Sequence, residues 1–200
     1  MSINPTLLAG SVLVVAAAPL ALGAEHIERQ MGAHVHGAAE LNAVVDGNTL
    51  AMELHLTGID AVGFGHPPES DEDQAAVDSA IATLEDAANL FQIPAAAGCE
   101  LVNAAVEVEY GMEEHHDEHH HGEDHHDDEH DAHHGEKEGS HSEFHASYEY
   151  SCGAMDQLES LTVMVFESFS NLETVRVQRV SPAGQGAQDL SADAPVVEFN

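Results

Sequence analysis

The sequence predicts an α+β fold that is mainly antiparallel β, with sandwich-like sheets, one principal helix and a long disordered loop rich in histidine and acid. Three observations lead to this prediction. Apolar and polar residues alternate in several short segments, which is typical of strands with one buried face. Apolar residues recur at helical spacing in only one long segment. A low-complexity run of histidine and acid separates two of the strand patterns.

The first strand pattern, at residues 39–56, predicts a β-hairpin. Apolar side chains alternate on both sides of a short Asp-Gly-Asn sequence, which is a turn signal. A two-residue turn at Gly47-Asn48 sets Leu54 opposite Leu41, so the apolar residues of both strands share one face. Moving the turn back by one residue would mix the two faces. We therefore expect the turn at Gly47-Asn48.

The principal helix is predicted to follow Ser70, which is its expected N-cap. Apolar residues recur at helical spacing from Val77 up to Phe91. The acids Asp71–Asp73 lie in the first turn, where carboxylates favour the positive end of the helix dipole. We interpret these acids as helix stabilisers and not as metal ligands.

Five further strand patterns complete the predicted fold. They lie at Leu101–Tyr110, Glu143–Cys152, Leu161–Phe166, Thr174–Val180 and Pro195–Phe199. The histidine-rich run joins the first two of these strands, so we expect it to form a long loop, residues 111–140, between neighbouring strands.

The two cysteines, Cys99 and Cys152, are expected to form a disulfide, the default state in an exported protein. The alternative is that they bind metal, but neither belongs to a CxxC pair. Uninterrupted alternation along the two strands would place Cys99 and Cys152 on opposite faces. A disulfide therefore requires a β-bulge or a position beyond the end of the ladder.

The first residues predict export. An apolar run, Leu7–Leu22, ends near small residues that suit signal peptidase, so residues 1–24 are interpreted as a signal peptide. A retained membrane anchor is the alternative, although the run is short and rich in alanine. Residues 25–200 are then expected to form a single domain, interrupted by loop 111–140, in an exported and oxidising compartment.

The charge of the chain excludes nucleic acid as a partner. There are 37 acidic and four basic residues, with a formal net charge of −33. Such a surface repels a phosphate backbone. It is compatible with solubility in a salty habitat and with attraction of cations.

The segment from Glu113 to Glu138, called here the His/acid segment, has the composition of a metal-binding sequence. Ten of its 26 residues are histidine and twelve are Asp or Glu. Imidazole nitrogen and carboxylate oxygen are ligands of Zn²⁺, and the segment has almost nothing apolar to bury. We expect high capacity and moderate affinity, because ordering a flexible loop costs conformational entropy. The candidate ligands are His115, His116, His119, His120, His121, His125, His126, His130, His133 and His134.

Other histidines give weaker signals. His34 and His36 would share a face if the first strand extended upstream, and so could bind one ion. His55 is expected opposite Glu40 on the polar face, but a single histidine there is more often a bystander, as is His66 before the two prolines.

His141 and His145 also share a face, since His145 lies in the predicted strand Glu143–Cys152 and His141 lies just before it. Four residues of extended strand span about 13 Å. These two histidines therefore cannot bind the same ion while the strand stays extended.

Several motifs occur together, and in order: HVHGAAELN at residues 34–42, VGFGHPP at 62–68, PAAAGCELV, the His/acid segment, HSEFHASYEYSC and TVMVFESFS. In these the chain resembles the ZrgA family of zinc-regulated, histidine-rich periplasmic proteins, over nearly the whole mature sequence. The resemblance implies a Zn²⁺-binding protein that assists an ABC zinc importer and its solute-binding protein. The residues carried over as candidate ligands are His34, His36, His66, His141 and His145, with the histidines of the segment.

The expected function is therefore capture and buffering of Zn²⁺ in the periplasm, with delivery to the importer. The alternative is sequestration or detoxification of Cu²⁺ or Ni²⁺, since the general affinity order favours Cu²⁺ over Zn²⁺. No HExxH or comparable motif occurs in the sequence, so we do not expect an enzyme. After removal of the signal peptide we expect no stable membrane insertion.

Zinc capacity should fall with pH. Protons compete with metal for imidazole nitrogen, so the number of bound ions should drop as the pH falls through about 6.5, the ordinary pKa of histidine. Calorimetric titration of the mature chain with Zn²⁺ at pH 7.5 and pH 5 tests this. Equal capacity at the two values would exclude the histidines as the principal ligands.

Overall fold

A computed structural model describes residues 36–111 and 141–199. The predicted signal peptide, His34, the ten histidines of the His/acid segment and the predicted disorder of the loop lie outside these residues. The strands are β1 (Ala38–Asp46), β2 (Thr49–Thr57), β3 (Phe91–Gln92), β4 (Cys99–Tyr110), β5 (Ser142–Cys152), β6 (Ser160–Val163), β7 (Thr174–Ser181), β8 (Gly184–Leu190) and β9 (Val196–Glu198). The α-helices are α1 (Gly58–Val62), α2 (Asp71–Glu85), α3 (Ala87–Leu90) and α4 (Val165–Ser168), and short 3₁₀ turns lie at Ala95–Ala97 and Met155–Gln157.

Two sheets carry the fold. The larger has six strands in the order β4-β5-β2-β1-β7-β8, and the smaller has the order β3-β6-β9. All neighbouring strands are antiparallel except β1 and β7, which run parallel. The predicted class, α+β with mainly antiparallel strands and few helices, is confirmed.

The β1–β2 hairpin has the predicted register. Leu41 lies opposite Leu54, and Val45 lies opposite Leu50. Gly47 in the turn adopts a φ of 57°, in the left-handed region that glycine enters without steric cost.

Strict alternation gives the six-stranded sheet one apolar and one polar face. Leu54 and Leu56 on β2 and Phe144 and Ala146 on β5 are all buried. These residues belong to one hydrophobic core, to which both sheets and α2 contribute. The residues between them point away from that core, because successive side chains of a strand alternate in direction. We call the core side the inner face and the opposite side the outer face.

Helix α2 covers part of the inner face. Ser70 caps it as predicted: the Ser70 side chain accepts from the backbone N–H of Asp73, and the Asp73 carboxylate accepts from the N–H of Ser70. The helix ends at Glu85, before the end of its apolar pattern, and α3 and β3 form the remainder. The Tyr148 hydroxyl on β5 donates to the carbonyl of Leu84, which joins the helix to the sheet.

A β-bulge places the two cysteines on the same face of the sheet. The register between β4 and β5 shifts between Leu101 and Asn103, which leaves Val102 as the extra residue. Cys99 therefore lies directly opposite Cys152, and the two form a disulfide. Of the two arrangements that the sequence allowed, the structure has the bulge.

Three elements differ from the sequence prediction. The predicted strand Leu161–Phe166 stops at Val163, and Val165 begins α4. Strand β8 was not predicted because its sequence, GQGAQDL, has little of the apolar alternation that marks a strand; its ladder with β7 forms it. Helix α1 is too short to give a periodic signal. Within the two described ranges, no helix has the length and apolarity needed to cross a membrane.

A buried carboxylate connects the residue before β1 to the last residue of β2. Asp60 in α1 is 2% exposed. It accepts hydrogen bonds from the backbone N–H of Gly37 and the hydroxyl of Thr57, each at 2.8 Å. The start of β1 is thereby joined to the end of β2.

Removal of the disulfide should destabilise the protein substantially. Cys99 and Cys152 are 53 residues apart, and closing a loop of that length restricts the unfolded chain by about 4 kcal/mol in the chain-entropy treatment. We expect Cys99→Ala with Cys152→Ala to lower the free energy of unfolding by about that amount, measured by urea denaturation in EDTA. Unfolding the wild-type chain under reducing conditions is the control, and an unchanged midpoint in both would contradict the expectation.

Candidate metal centre

Three adjacent strands place histidine and glutamate side chains together on the outer face. His55 on β2 lies directly opposite His145 on β5, and Glu107 on β4 lies opposite His145 on its other side. Two residues away on each strand, Glu143 on β5 lies opposite Glu109 on β4. These side chains share the outer face because the residues flanking them on β2 and β5 are buried.

The centre of the group is the Nε2 atom of His145. It lies 3.3 Å from a carboxylate oxygen of Glu143 and 3.7 Å from one of Glu109. The Glu143 and His145 side chains are 14% and 22% exposed, whereas Glu109 is 67% exposed at the sheet edge. In the part of the chain that the structure describes, this is the one group of three such residues whose donor atoms all lie within 4.8 Å of one another.

The donor set fits a divalent cation. The Nε2 atom of His145 is buried and makes no hydrogen bond, although two carboxylates lie beside it. Two carboxylates also repel each other unless a positive charge lies between them. Ligands of one tetrahedral Zn²⁺, with bonds of about 2.0 to 2.2 Å, are separated by about 3.3 Å, close to the distances found here. We call Glu109, Glu143 and His145 the sheet cluster.

His55 contacts the other side of the His145 ring. The two Nδ1 atoms are 2.7 Å apart, and the rings meet edge to face with centroids 4.6 Å apart. The Nε2 atom of His55 lies 3.9 Å from a carboxylate oxygen of Glu53. Sequence reasoning treated His55 as a bystander, because nothing local shows that β2 pairs with β5.

The remaining predicted ligands within the described ranges, His36, His66 and His141, are not among the three residues of the sheet cluster. His36 is exposed in the turn before β1, which begins at Ala38. The Nδ1 atom of His66 lies 2.8 Å from the carbonyl oxygen of Pro67, and its ring stacks on Phe64. His141 is exposed and immediately precedes β5.

Two residues of the sheet cluster, Glu109 and Glu143, were not predicted as candidate ligands from the sequence. Glu109 is the last residue but one of a predicted strand and Glu143 is the first residue of the next, in a chain with 37 acids, so neither stands out. The available signal was the strand alternation. If residues 111 and 141 close a hairpin, Glu109 must face Glu143.

Gly111 and His141, the described residues on either side of positions 112–140, are hydrogen-bonded to each other near the sheet cluster. The backbone N–H of Gly111 donates to the carbonyl of His141 at 2.7 Å. Glu109 and Glu143 lie two residues from Gly111 and His141, one on each strand. The strands that lead into and out of residues 112–140 therefore carry the two carboxylates of the sheet cluster.

Other perturbed groups lie outside this centre. Hydrogen bonding to the backbone N–H of Glu69, with a further contribution from Ser70, lowers the pKa of Asp73, which supports its role as a helix cap. Burial raises the pKa of Tyr148 and of Tyr150, so both hydroxyls on the inner face stay protonated at neutral pH.

Comparison with known proteins identifies the family. The family model described as ZrgA family zinc uptake protein matches residues 33–199. A comparison with curated proteins finds no match. The matched range includes every described strand and the sheet cluster. The chain belongs to the ZrgA family of zinc uptake proteins.

Proposed function

We propose that this protein captures and buffers Zn²⁺ in the periplasm and assists its delivery to an ABC-type zinc importer. Membership of a zinc uptake family supports a role in zinc acquisition. The observation that carries the proposal is the sheet cluster, where a buried imidazole nitrogen lies 3.3 and 3.7 Å from two carboxylate oxygens.

The sheet cluster suits reversible binding. One nitrogen and two oxygen ligands leave at least one coordination position of Zn²⁺ for water or an incoming ligand. The site also lies at the edge strand β4, where Glu109 is 67% exposed. A partner's ligand can therefore enter before the protein's own ligands leave, which permits stepwise transfer.

The His/acid segment supplies capacity. Its ten histidines are numerous enough for several ions, and the strands on either side of it are joined by the Gly111–His141 bond two residues from Glu109 and Glu143. A tethered ligand acts at a high effective concentration, in the millimolar range for short flexible tethers. We infer that the segment collects ions and that the sheet cluster is the fixed site they reach.

A non-enzymatic role fits the position of the sheet cluster. A catalytic zinc site also keeps an open position, but it lies in a shaped cavity that excludes water. The cleft between α1, α2 and residues 168–171 has a volume of about 330 Å³, and its lining includes none of the sheet cluster residues. The sheet cluster is therefore interpreted as a binding site.

Zinc should stabilise the folded chain through the sheet cluster. A ligand that binds only the folded state at 100 times its Kd raises the free energy of unfolding by about 2.7 kcal/mol, whereas ligands that bind folded and unfolded chains equally add nothing. We expect this increase in the wild-type mature chain, measured by urea denaturation with and without Zn²⁺. It should disappear in Glu109→Gln with Glu143→Gln.

Glu149→Gln is the matched control for that experiment. Glu149 is exposed on the same strand and the same face as Glu143, opposite Asn103 and outside the sheet cluster. It should keep the full zinc effect. If all three proteins were stabilised equally, the sheet cluster would not be the fixed site.

Delivery is tested by the rate of transfer. Zn²⁺-loaded protein is mixed with the metal-free solute-binding protein of the zinc importer from the same source, and separately with a chromophoric chelator of equal affinity. Transfer to the protein partner should be faster than transfer to the chelator. Equal rates would show release into solution and would remove delivery from the proposed function.

Urea denaturation with Cu²⁺ and with Ni²⁺, in place of Zn²⁺, distinguishes uptake from detoxification. With one imidazole and two carboxylates, the sheet cluster offers harder ligands than the histidine-rich sites that favour Cu²⁺. We expect Zn²⁺ to bind both the segment and the sheet cluster. Stabilisation of the fold by Cu²⁺ but not by Zn²⁺ would favour sequestration of copper.

A further inference from the structure

The contact between the two histidine rings constrains which nitrogen carries a proton. Two ring nitrogens 2.7 Å apart must form one hydrogen bond, since two lone pairs at that distance repel. Either His145 donates its Nδ1–H to His55, or His55 donates its Nδ1–H to His145. The two arrangements place opposite chemistry at the far nitrogen of His145.

Only the first arrangement allows His145 to bind a metal through Nε2. A neutral imidazole has one N–H, so if Nδ1 donates to His55, Nε2 presents a lone pair to the two carboxylates. In the second arrangement Nε2 would carry a hydrogen and would be blocked. The proton on Nδ1 of His145 is therefore the condition for zinc at the sheet cluster.

His55 can accept that hydrogen bond because its own hydrogen then lies on Nε2. That Nε2 faces the Glu53 carboxylate, 3.9 Å away. The order across the outer face is then carboxylate, His55, His145 and metal. Ligating histidines in metal sites commonly donate their second ring N–H to such a partner, which fixes the tautomer and the ring orientation.

We propose that His55 is a positioning residue for the zinc site: it accepts the Nδ1–H of His145 and so directs the Nε2 lone pair toward Glu109 and Glu143. This proposal rests on the proposed function, since it needs Zn²⁺ at the sheet cluster. In this proposal His55 does not bind the metal itself, but it determines how tightly His145 binds Zn²⁺. The register supports it, because β2 and β5 hold the two rings directly opposite each other.

The test uses the mature full-length chain in which the ten histidines of the His/acid segment are replaced by glutamine, so that zinc binding reports on the fixed site. His55→Leu removes the acceptor. His55→Asn keeps an acceptor oxygen close to the position of Nδ1. We expect the leucine variant to bind Zn²⁺ about 10- to 100-fold more weakly, which is the range for loss of such a partner. The asparagine variant should bind within a few-fold of the parent.

Nitrogen-15 NMR of labelled histidine gives the second readout, which a merely structural role for His55 would not change. With Zn²⁺ bound, His145 should be protonated on Nδ1 and metal-shifted on Nε2, and neither nitrogen of His55 should be metal-shifted. His36→Gln is the control variant, because His36 is exposed in the turn before β1. Equal unfolding midpoints of the variants in EDTA exclude a packing effect.

Several results would overturn the proposal. A metal-shifted nitrogen in His55 would make His55 a ligand. Equal zinc affinity of the parent and the leucine variant would make the ring contact irrelevant to binding, and equal loss in the leucine and asparagine variants would exclude the acceptor role. If the ten-glutamine chain bound no Zn²⁺, the proposal would fail while zinc capture by the wild-type segment remained intact. If the wild-type chain also bound none, the proposed function itself would fail.

Discussion

The register between β4 and β5 is the constraint on which both the core and the sheet cluster depend. Because side chains alternate along a strand, a shift of one residue would turn Val106 and Val108 outward and bury Glu107 and Glu109. Burying a carboxylate without a partner costs several kcal/mol, so the slipped register is strongly disfavoured. Because of the bulge at Val102, Cys99 lies opposite Cys152 at one end of the ladder while Glu107 and Glu109 stay on the outer face at the other end. The disulfide, at the end far from the sheet cluster, then holds that register through a covalent bond.

One face of the large sheet carries the hydrophobic core, and the other carries the candidate metal site. The inner face holds the apolar core and the covering helix, whereas the outer face presents Glu40, His55, His145 and Glu107 in one row across four strands. Substitutions on the outer face are therefore expected to have little effect on the packing of the core. The net charge of −33 adds a longer-range effect, because it raises the local concentration of cations around the protein and is weakened by salt.

Local sequence patterns predicted what is set by neighbours along the chain. The hairpin turn, the Ser70 cap and the need for a bulge or its equivalent all follow from alternation, spacing and parity within short stretches. Pairings between distant strands were not accessible in this way, and His55 and His145 meet only because β2 lies beside β5, 90 residues later in the chain. Strand β8 was missed for a related reason: its residues acquire strand structure from the ladder with β7 and not from their own β propensity.

The parallel pairing of β1 with β7 has a consequence for the order in which the molecule can assemble. Ala38 is paired with Thr174, so the centre of the large sheet joins residues near opposite ends of the described chain. The β1–β2 hairpin can form early from local contacts, but its other edge stays open until β7 is available. Such non-local contacts give a high contact order, which slows folding because the entropy of closing a long loop is lost before the contacts form. Until β7 pairs with β1, the backbone groups on that edge of β1 are open to pairing with other chains, and the net charge of −33 opposes such association.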